Sequence, residues 1–151
     1  MRILIQECLK ASVTIDGKVH SSIDQGEVLF VGFTQGDDEN IIDKMLDKLF
    51  KLRIFEDENG KTNLDLAKHG GNILAISQFT LYADMSQGNR PSFVKALPAS
   101  ESEPLYNVFC KKIAERLPTV QFGVFGADMK VNLINDGPFT LLMDSKELFG
   151  K

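Results

Sequence analysis

Three short stretches carry the residue types that could do chemistry. "SQFTL", residues 77–81, interrupts an apolar run: after Ile73-Leu74-Ala75-Ile76 come Ser77, Gln78 and Thr80, where a buried strand should leave the core. Hydroxyls satisfied by backbone at a strand end would account for them. So would the polar floor of a pocket, with backbone N–H groups and Thr80 facing a ligand. "GNRPSF", residues 88–93, puts Arg90 and Phe93 in one loop, which could hold a phosphate and stack a base or be an ordinary surface loop. "NDGPFT", residues 135–140, holds Asp136-Gly137 between alternating apolar runs, a hairpin signal that Pro138 spoils at once. Thr80 or Ser77 as a nucleophile lacks a neighbouring base in the sequence, and a free hydroxyl is weak without one. His20 and His69 are the only histidines, and neither has a Cys, His or carboxylate at ligand spacing on one element, so no metal is expected. "GGN" at 70–72 lacks the spacing of a nucleotide-binding glycine loop, so no cofactor is expected, and without a G-x-S-x-G a Ser-His-Asp hydrolase is a weak reading.

The elements that must position these stretches are read from periodicity. Ile3 and Ile5, then Val13 and Ile15, alternate into an Asp16-Gly17 turn, which predicts a β-hairpin. "EVLFVGF", residues 27–33, is an almost continuous apolar run and reads as a central strand buried on both faces. From Asp38 the period becomes helical, with Ile42, Met45, Leu46, Leu49 and Phe50 on one face of a helix over about 39–53. Residues 56–72 look like a polar connection, too rich in turn residues for a core element. "NILAISQFTLYAD", 72–84, begins as a second buried strand. A second helix is signalled by Ser100 or Ser102 as N-cap, Glu103 and Pro104 in the first turn, and a stop at Pro118. The rest is strand-rich. Runs of strands with two long helices predict a mixed, largely antiparallel α/β domain rather than a βαβ repeat, and no linker or repeat divides residues 1–151.

Bulk properties narrow the function classes. A chain of 151 residues can bury about 70% of the surface its unfolded form exposes, enough for one real core. With a net charge of −4, it does not hold nucleic acid chiefly by neutralising phosphates, so any such partner must be gripped locally. "MRILIQECLK" lacks a signal-peptide core and no apolar run is long enough to span a membrane, which predicts a cytoplasmic protein with no membrane partner. Cys8 and Cys110 then read as free thiols.

Taken together, "SQFTLYAD", "GNRPSF", "FGADM" and "NDGPFT" resemble the D-aminoacyl-tRNA deacylase family, with its Ser-Gln-x-x-Leu and Asn-x-x-Gly-Pro-x-Thr motifs. "ASVTIDG" at 11–17 and "LRIFEDENGKTNLDL" at 52–66 are similar too, so the resemblance covers essentially the whole chain. It implies a homodimeric, three-layer α/β fold, related to an editing domain of archaeal threonyl-tRNA synthetases. It also implies hydrolysis of the ester between a D-amino acid, or achiral glycine, and the terminal adenosine of tRNA. In the family the Gly-Pro bond is cis and enters the partner subunit's active site. Carried over, Gly137 and Pro138 would fill with backbone the space an L side chain needs, and selection would work by rejection.

The resemblance also assigns roles. Ser77, Gln78, Phe79 and Thr80 would form the catalytic floor, with amides around Phe79 and Thr80 as an oxyanion-type site and Gln78 orienting the substrate. Leu81 and Asn135, in the same motifs, would contact the substrate, and Met129 and Phe93 would wall the terminal adenosine. The tRNA's own 2′-hydroxyl would assist the attacking water. Arg90 and Lys95 would be the few basic contacts for the tRNA end. Where the family usually has arginine after the first-strand glutamine, this chain reads Gln6-Glu7-Cys8, so either another cation anchors the Gly-Pro segment or the segment is looser here. Two other readings remain at this point. One is a relative that clears mischarged L-alanine, which Ser77 disfavours. The other is a nucleic-acid-binding protein without catalysis, which a chain ending in "SKELFGK" is too short to favour.

Overall fold

The computed structural model describes residues 1–150, and Lys151, the last residue of the expected domain, lies outside the described residues. The expected hairpin forms. Strand β1 (Arg2–Ile15) turns through Asp16 and Gly17, both at positive φ, into β2 (Lys18–Ile23). Strand β3 (Gly26–Gly32) is the predicted central strand, with β1 on one side and β6 (Asn72–Ser77) on the other. Its continuous apolar sequence follows from that position, because both faces are covered.

Helix α1 (Glu39–Lys51) starts where Asp38 accepts a hydrogen bond from the Ile41 amide at 3.0 Å, a cap contributing about 1 kcal/mol. Glu39 in its first turn and Lys48 and Lys51 in its last complement the helix dipole. Residues 56–72 are not a plain connection. They hold β5 (Thr62–Leu64), paired with β4 (Phe55–Glu56), and the short α2 (Leu66–His69) capped by Asp65. Helix α3 (Ala99–Arg116) begins earlier than expected, after Pro98, with no side-chain cap. Ser102 lies buried inside its first turns instead of capping it. The chain finishes with β7 (Gln121–Phe122), β8 (Lys130–Asp144) and α4 (Ser145–Phe149).

The sheet departs from the largely antiparallel expectation. β1 pairs antiparallel with β2, β3 and β8, but β3–β6 and β6–β7 are parallel. The physical reason is connection length: α1 lies between β3 and β6, and α3 between β6 and β7, so each return runs in the same direction as its partner. Those are crossover units, which strand counting along the sequence had excluded. The sheet also curls until β2 meets β6 and β7, making it barrel-like.

Two apolar clusters result. Ile3, Ile5, Leu29 and Ile73 pack with α1 and α3, through Ile42, Met45, Leu46, Phe109 and Ile113. Cys8, Val13, Val28, Leu74 and Ile76 fill the inside of the curl. β1 serves both, because a register shift between Cys8 and Ala11 reverses which face its odd-numbered residues meet. Lys112 joins α3 to α1 through Glu39 at 3.0 Å and Asp43 at 2.7 Å, surface pairs that orient the helices more than they stabilise them. Among the described residues no helix is long and apolar enough to cross a membrane, and both cysteines are free.

Candidate active site

The apolar strand β6 ends at Ser77, and the chain then tightens into a 3-10 turn, Phe79–Tyr82. That turn explains the polar break. Gln78 still extends the ladder, its amide donating to the Val31 carbonyl at 2.7 Å, but Phe79 and Thr80 open the turn and their amides find no acceptor among the described residues. Close approach requires a glycine opposite: a Cβ on Gly32 would lie 2.8 Å from the Gln78 carbonyl oxygen.

Arg2 locks the far end of the turn. Its Nη1 donates to the Leu81 carbonyl at 2.7 Å, its Nε to Asp144 at 2.9 Å, and the guanidinium lies 4.6 Å from the Tyr82 ring centre. Sequence reasoning missed Arg2, since a charge at the mouth of a strand carries no local signal of what it will reach.

In front of the turn opens a cleft of about 730 Å³. Ser77, Gln78 and Phe79 form part of it, Phe93 and Met129 stand on its walls, and Ser102 from α3 closes one side. Phe79 and Phe93 meet edge to face at 5.1 Å, yet remain 56% and 41% exposed, with Val94 beside them at 85%. An apolar rim this open is built to be covered. The cleft brings together five of the predicted residues. Thr80 and Leu81 are outside it: the Thr80 hydroxyl accepts from Gln78 Nε2 at 2.5 Å, and Leu81 backs onto Gly32.

Among the described residues only one ionisable side chain borders the cleft, the exposed Asp128, whose carboxylate holds Lys130 at 3.0 Å. Among the described residues no histidine, cysteine or lysine lines it, and no cluster of three His, Cys, Asp or Glu could hold a metal. The cleft can therefore orient and polarise a ligand through backbone amides and a carboxamide, and it has no side-chain base placed to activate a hydroxyl. Of the two basic candidates, Arg90 is exposed, while Lys95 is held by Asp84 at 3.1 Å. Asp84 is kept down at about 2 by hydrogen bonds from Ser86 and Lys95, which shapes the loop under the rim.

Gly137 and Pro138 lie elsewhere. They do not close a hairpin: both halves of β8 pair with β1, and between the Gln6–Thr140 and Cys8–Asn135 pairs four residues of β8 face the single Glu7. Asp136, Gly137, Pro138 and Phe139 are thus an excursion from a continuous strand. The Gly137-Pro138 peptide is cis, and Gly137 has φ 139°, where a side chain would be strained. Asn135 ties the base of the excursion. Its Nδ2 donates to the Glu7 and Phe139 carbonyls at 3.0 and 2.9 Å, and its Oδ1 accepts from the Phe139 amide at 3.2 Å. The anchor sought in a replacement cation is thus an asparagine side chain from the same strand.

A curled mixed sheet presenting an uncharged, polar-floored cleft with an apolar rim defines an α/β protein that acts on a ligand it must receive largely through backbone groups. The chain belongs to the family described as D-Tyr-tRNA(Tyr) deacylase, whose model matches residues 4–144. It is 49% identical to a D-aminoacyl-tRNA deacylase of Listeria innocua, over 98% of this chain and 99% of that one. A namesake from Lactobacillus delbrueckii subsp. bulgaricus is 51% identical over 95% and 99%. Among solved structures, the c-Myc DNA Unwinding Element Binding Protein superposes with a TM-score of 0.89 at 35% identity, covering 95% of this chain and 98% of that one. A probable eukaryotic D-amino acid tRNA deacylase superposes at 0.84 with 15% identity over 94% and 97%, a likeness of fold.

Proposed function

We propose that this protein hydrolyses the ester of D-aminoacyl-tRNA, releasing the free D-amino acid and the tRNA. The observation that carries this reading is the cleft itself, where a Ser77-Gln78-Phe79 floor with unpaired turn amides faces aromatic and thioether walls. The ester carbonyl would rest against the Phe79 and Thr80 amides, which receive the negative charge its oxygen gains as water adds. Gln78 orients the substrate, Asn135 and Leu81 support the two motifs from behind, and Phe93 and Met129 flank the terminal adenosine. Because the one carboxylate described at the cleft, Asp128, is exposed and paired with Lys130, the tRNA's terminal 2′-hydroxyl assists the water, and glycine on mischarged tRNA is hydrolysed alongside D-residues.

Chiral selection belongs to a homodimer, three-layered, in which Gly137 and Pro138 of one subunit enter the cleft of the other. Two features support this: the excursion is exposed and stands outside its own cleft, and the cleft has an open apolar rim. A backbone carbonyl beside the substrate's α-carbon leaves room for hydrogen and none for an L side chain. A 10⁴-fold preference needs about 5.5 kcal/mol, which a hard clash can supply. The cytoplasm, where tRNA is charged, is the expected compartment.

The test is hydrolysis of D-Tyr-tRNA against L-Tyr-tRNA by the pure protein. Rapid release from the D ester alone supports the reading, and equal cleavage of both, or none, sinks it.

A further inference from the structure

Behind the Gly-Pro excursion is a second cavity, about 220 Å³, that the proposed reaction does not use. Glu7, Glu56 and Asp136 line it together with Phe55, His69 and Gly137. Directly across the β1–β3 ladder from Glu7, on the same face of the sheet, is Glu27. Glu27 is only 2% exposed, and its carboxyl group accepts no hydrogen bond and joins no ion pair among the described residues. Its oxygens are nonetheless not fully enclosed, so the surface it retains is at its charged end. A buried acid without a partner is costly, and here its nearest charged neighbour is another acid.

Among the described residues no lysine or arginine compensates this group. The charges that act on Glu7 are Asp136 and Glu56, and the charge that acts on Glu27 is Glu7. The base on the wall, His69, is stacked flat on Phe55 at 4.3 Å, and the Cys8 thiol beside it is pushed up to about 11 by burial. The carboxyls do not converge as metal ligands do. An acidic end beside a flat aromatic wall, in a volume with room for a guanidinium on a short carbon chain, fits a weakly hydrated organic cation.

We propose that this cavity is a binding site for a small organic cation, an alkylguanidinium or alkylammonium compound. Its charged head lies between Glu7 and Asp136, with Glu27 next to Glu7 on β3 adding negative charge, and its carbon chain runs along Phe55 and His69. Burial first, and then neighbouring carboxylates, push Glu7 up to about 7 and Glu27 to about 8. The cation therefore displaces protons when it binds below that range. Binding tightens as pH rises, by up to tenfold per unit for one proton released.

The test is calorimetric titration of the unaltered protein with agmatine at pH 6.5, 7.5 and 8.5 and constant ionic strength, with butylurea as the uncharged counterpart. Expected are saturable one-to-one binding of agmatine that tightens with pH, proton release measured in buffers of different ionisation enthalpy, and no binding of butylurea. Glu7→Gln and Glu27→Gln should each weaken agmatine at least tenfold and flatten the pH dependence. Absence of agmatine binding up to 20-fold above a millimolar, binding that ignores pH, or equal binding of butylurea would each overturn the site, and none of these requires a variant to fold. Failure of D-Tyr-tRNA hydrolysis with agmatine binding intact would break the deacylase reading and leave this one standing.

Discussion

The Ser77–Phe79 floor and the Asp136–Phe139 excursion are both places where an apolar strand pattern breaks, but they break in opposite ways. At the floor the chain tightens into a turn held from outside, by Arg2 on the Leu81 carbonyl and by the bare backbone of Gly32. At the excursion four residues bulge from a strand that resumes its pairing, held from inside by the carboxamide of Asn135. The electrostatics differ as well. One exposed, ion-paired carboxylate borders the cleft, whereas the excursion stands over uncompensated acids, one of them buried. A site that polarises an ester through backbone amides gains from having few competing charges. A segment that acts as a wall needs only to be held in place, and it can tolerate charge behind it.

Removing the buried charge sharpens this contrast most. Glu27 goes from about 4.5 unfolded to about 8 folded. A raised acid favours the fold while protonated, so stability falls as pH rises from the unfolded value through the folded one. At about 1.36 kcal/mol per unit, Glu27→Gln should be more stable at pH 8 by up to about 4 kcal/mol, with a flatter slope between pH 5 and 8. Urea unfolding at the two ends of that range checks it. Next, Asn135→Ala removes three hydrogen bonds, at about 1 kcal/mol each, and should destabilise by about 3 kcal/mol. It should also narrow the ratio of D-Tyr-tRNA to L-Tyr-tRNA hydrolysis, measured in single turnover.

The cleft side predicts smaller effects. Gly32→Ala drives a Cβ against the Gln78 carbonyl, a backbone atom that cannot rotate away, and should cost about 1–3 kcal/mol of stability. Deacylation should fall with it while D-over-L selectivity is kept, which separates floor from wall. Smallest is Thr80→Ala. With the hydroxyl outside the cleft, the rate should stay within about tenfold, equivalent to about 1.4 kcal/mol. Total loss would make Thr80 a nucleophile and undo the division of labour between protein and tRNA.

Much of this was legible beforehand because it is encoded over a few residues. The β3 run, the Asp38 cap with its helical stripe, the Asp16-Gly17 turn and the break at Ser77 each declare themselves within a window of fifteen residues. The cleft residues Ser77, Gln78, Phe79, Phe93 and Met129 came from the family motifs and do meet in space. The parallel pairing was not legible: both crossover helices were read, but local periodicity does not say beside which strand the chain returns. Residues 131–144 read as two strands around a turn because Asp-Gly has the same local chemistry at a hairpin and in an excursion. Only the pairing of both halves with β1 distinguishes the two.

By itself, the sequence determined the first hairpin, the buried strands β3 and β6 and the two long helices, that the protein is acidic, and which residue types stand at each break. Those are consequences of dihedral preference, side-chain period and formal charge, all short-range or additive. Tertiary structure alone decided that Glu7 faces Glu27, that Arg2 reaches Leu81, and that Gly137 and Pro138 stand outside their own chain's cleft. Each of those depends on strand register and on which faces become buried together, and register is chosen by the whole apolar pattern at once.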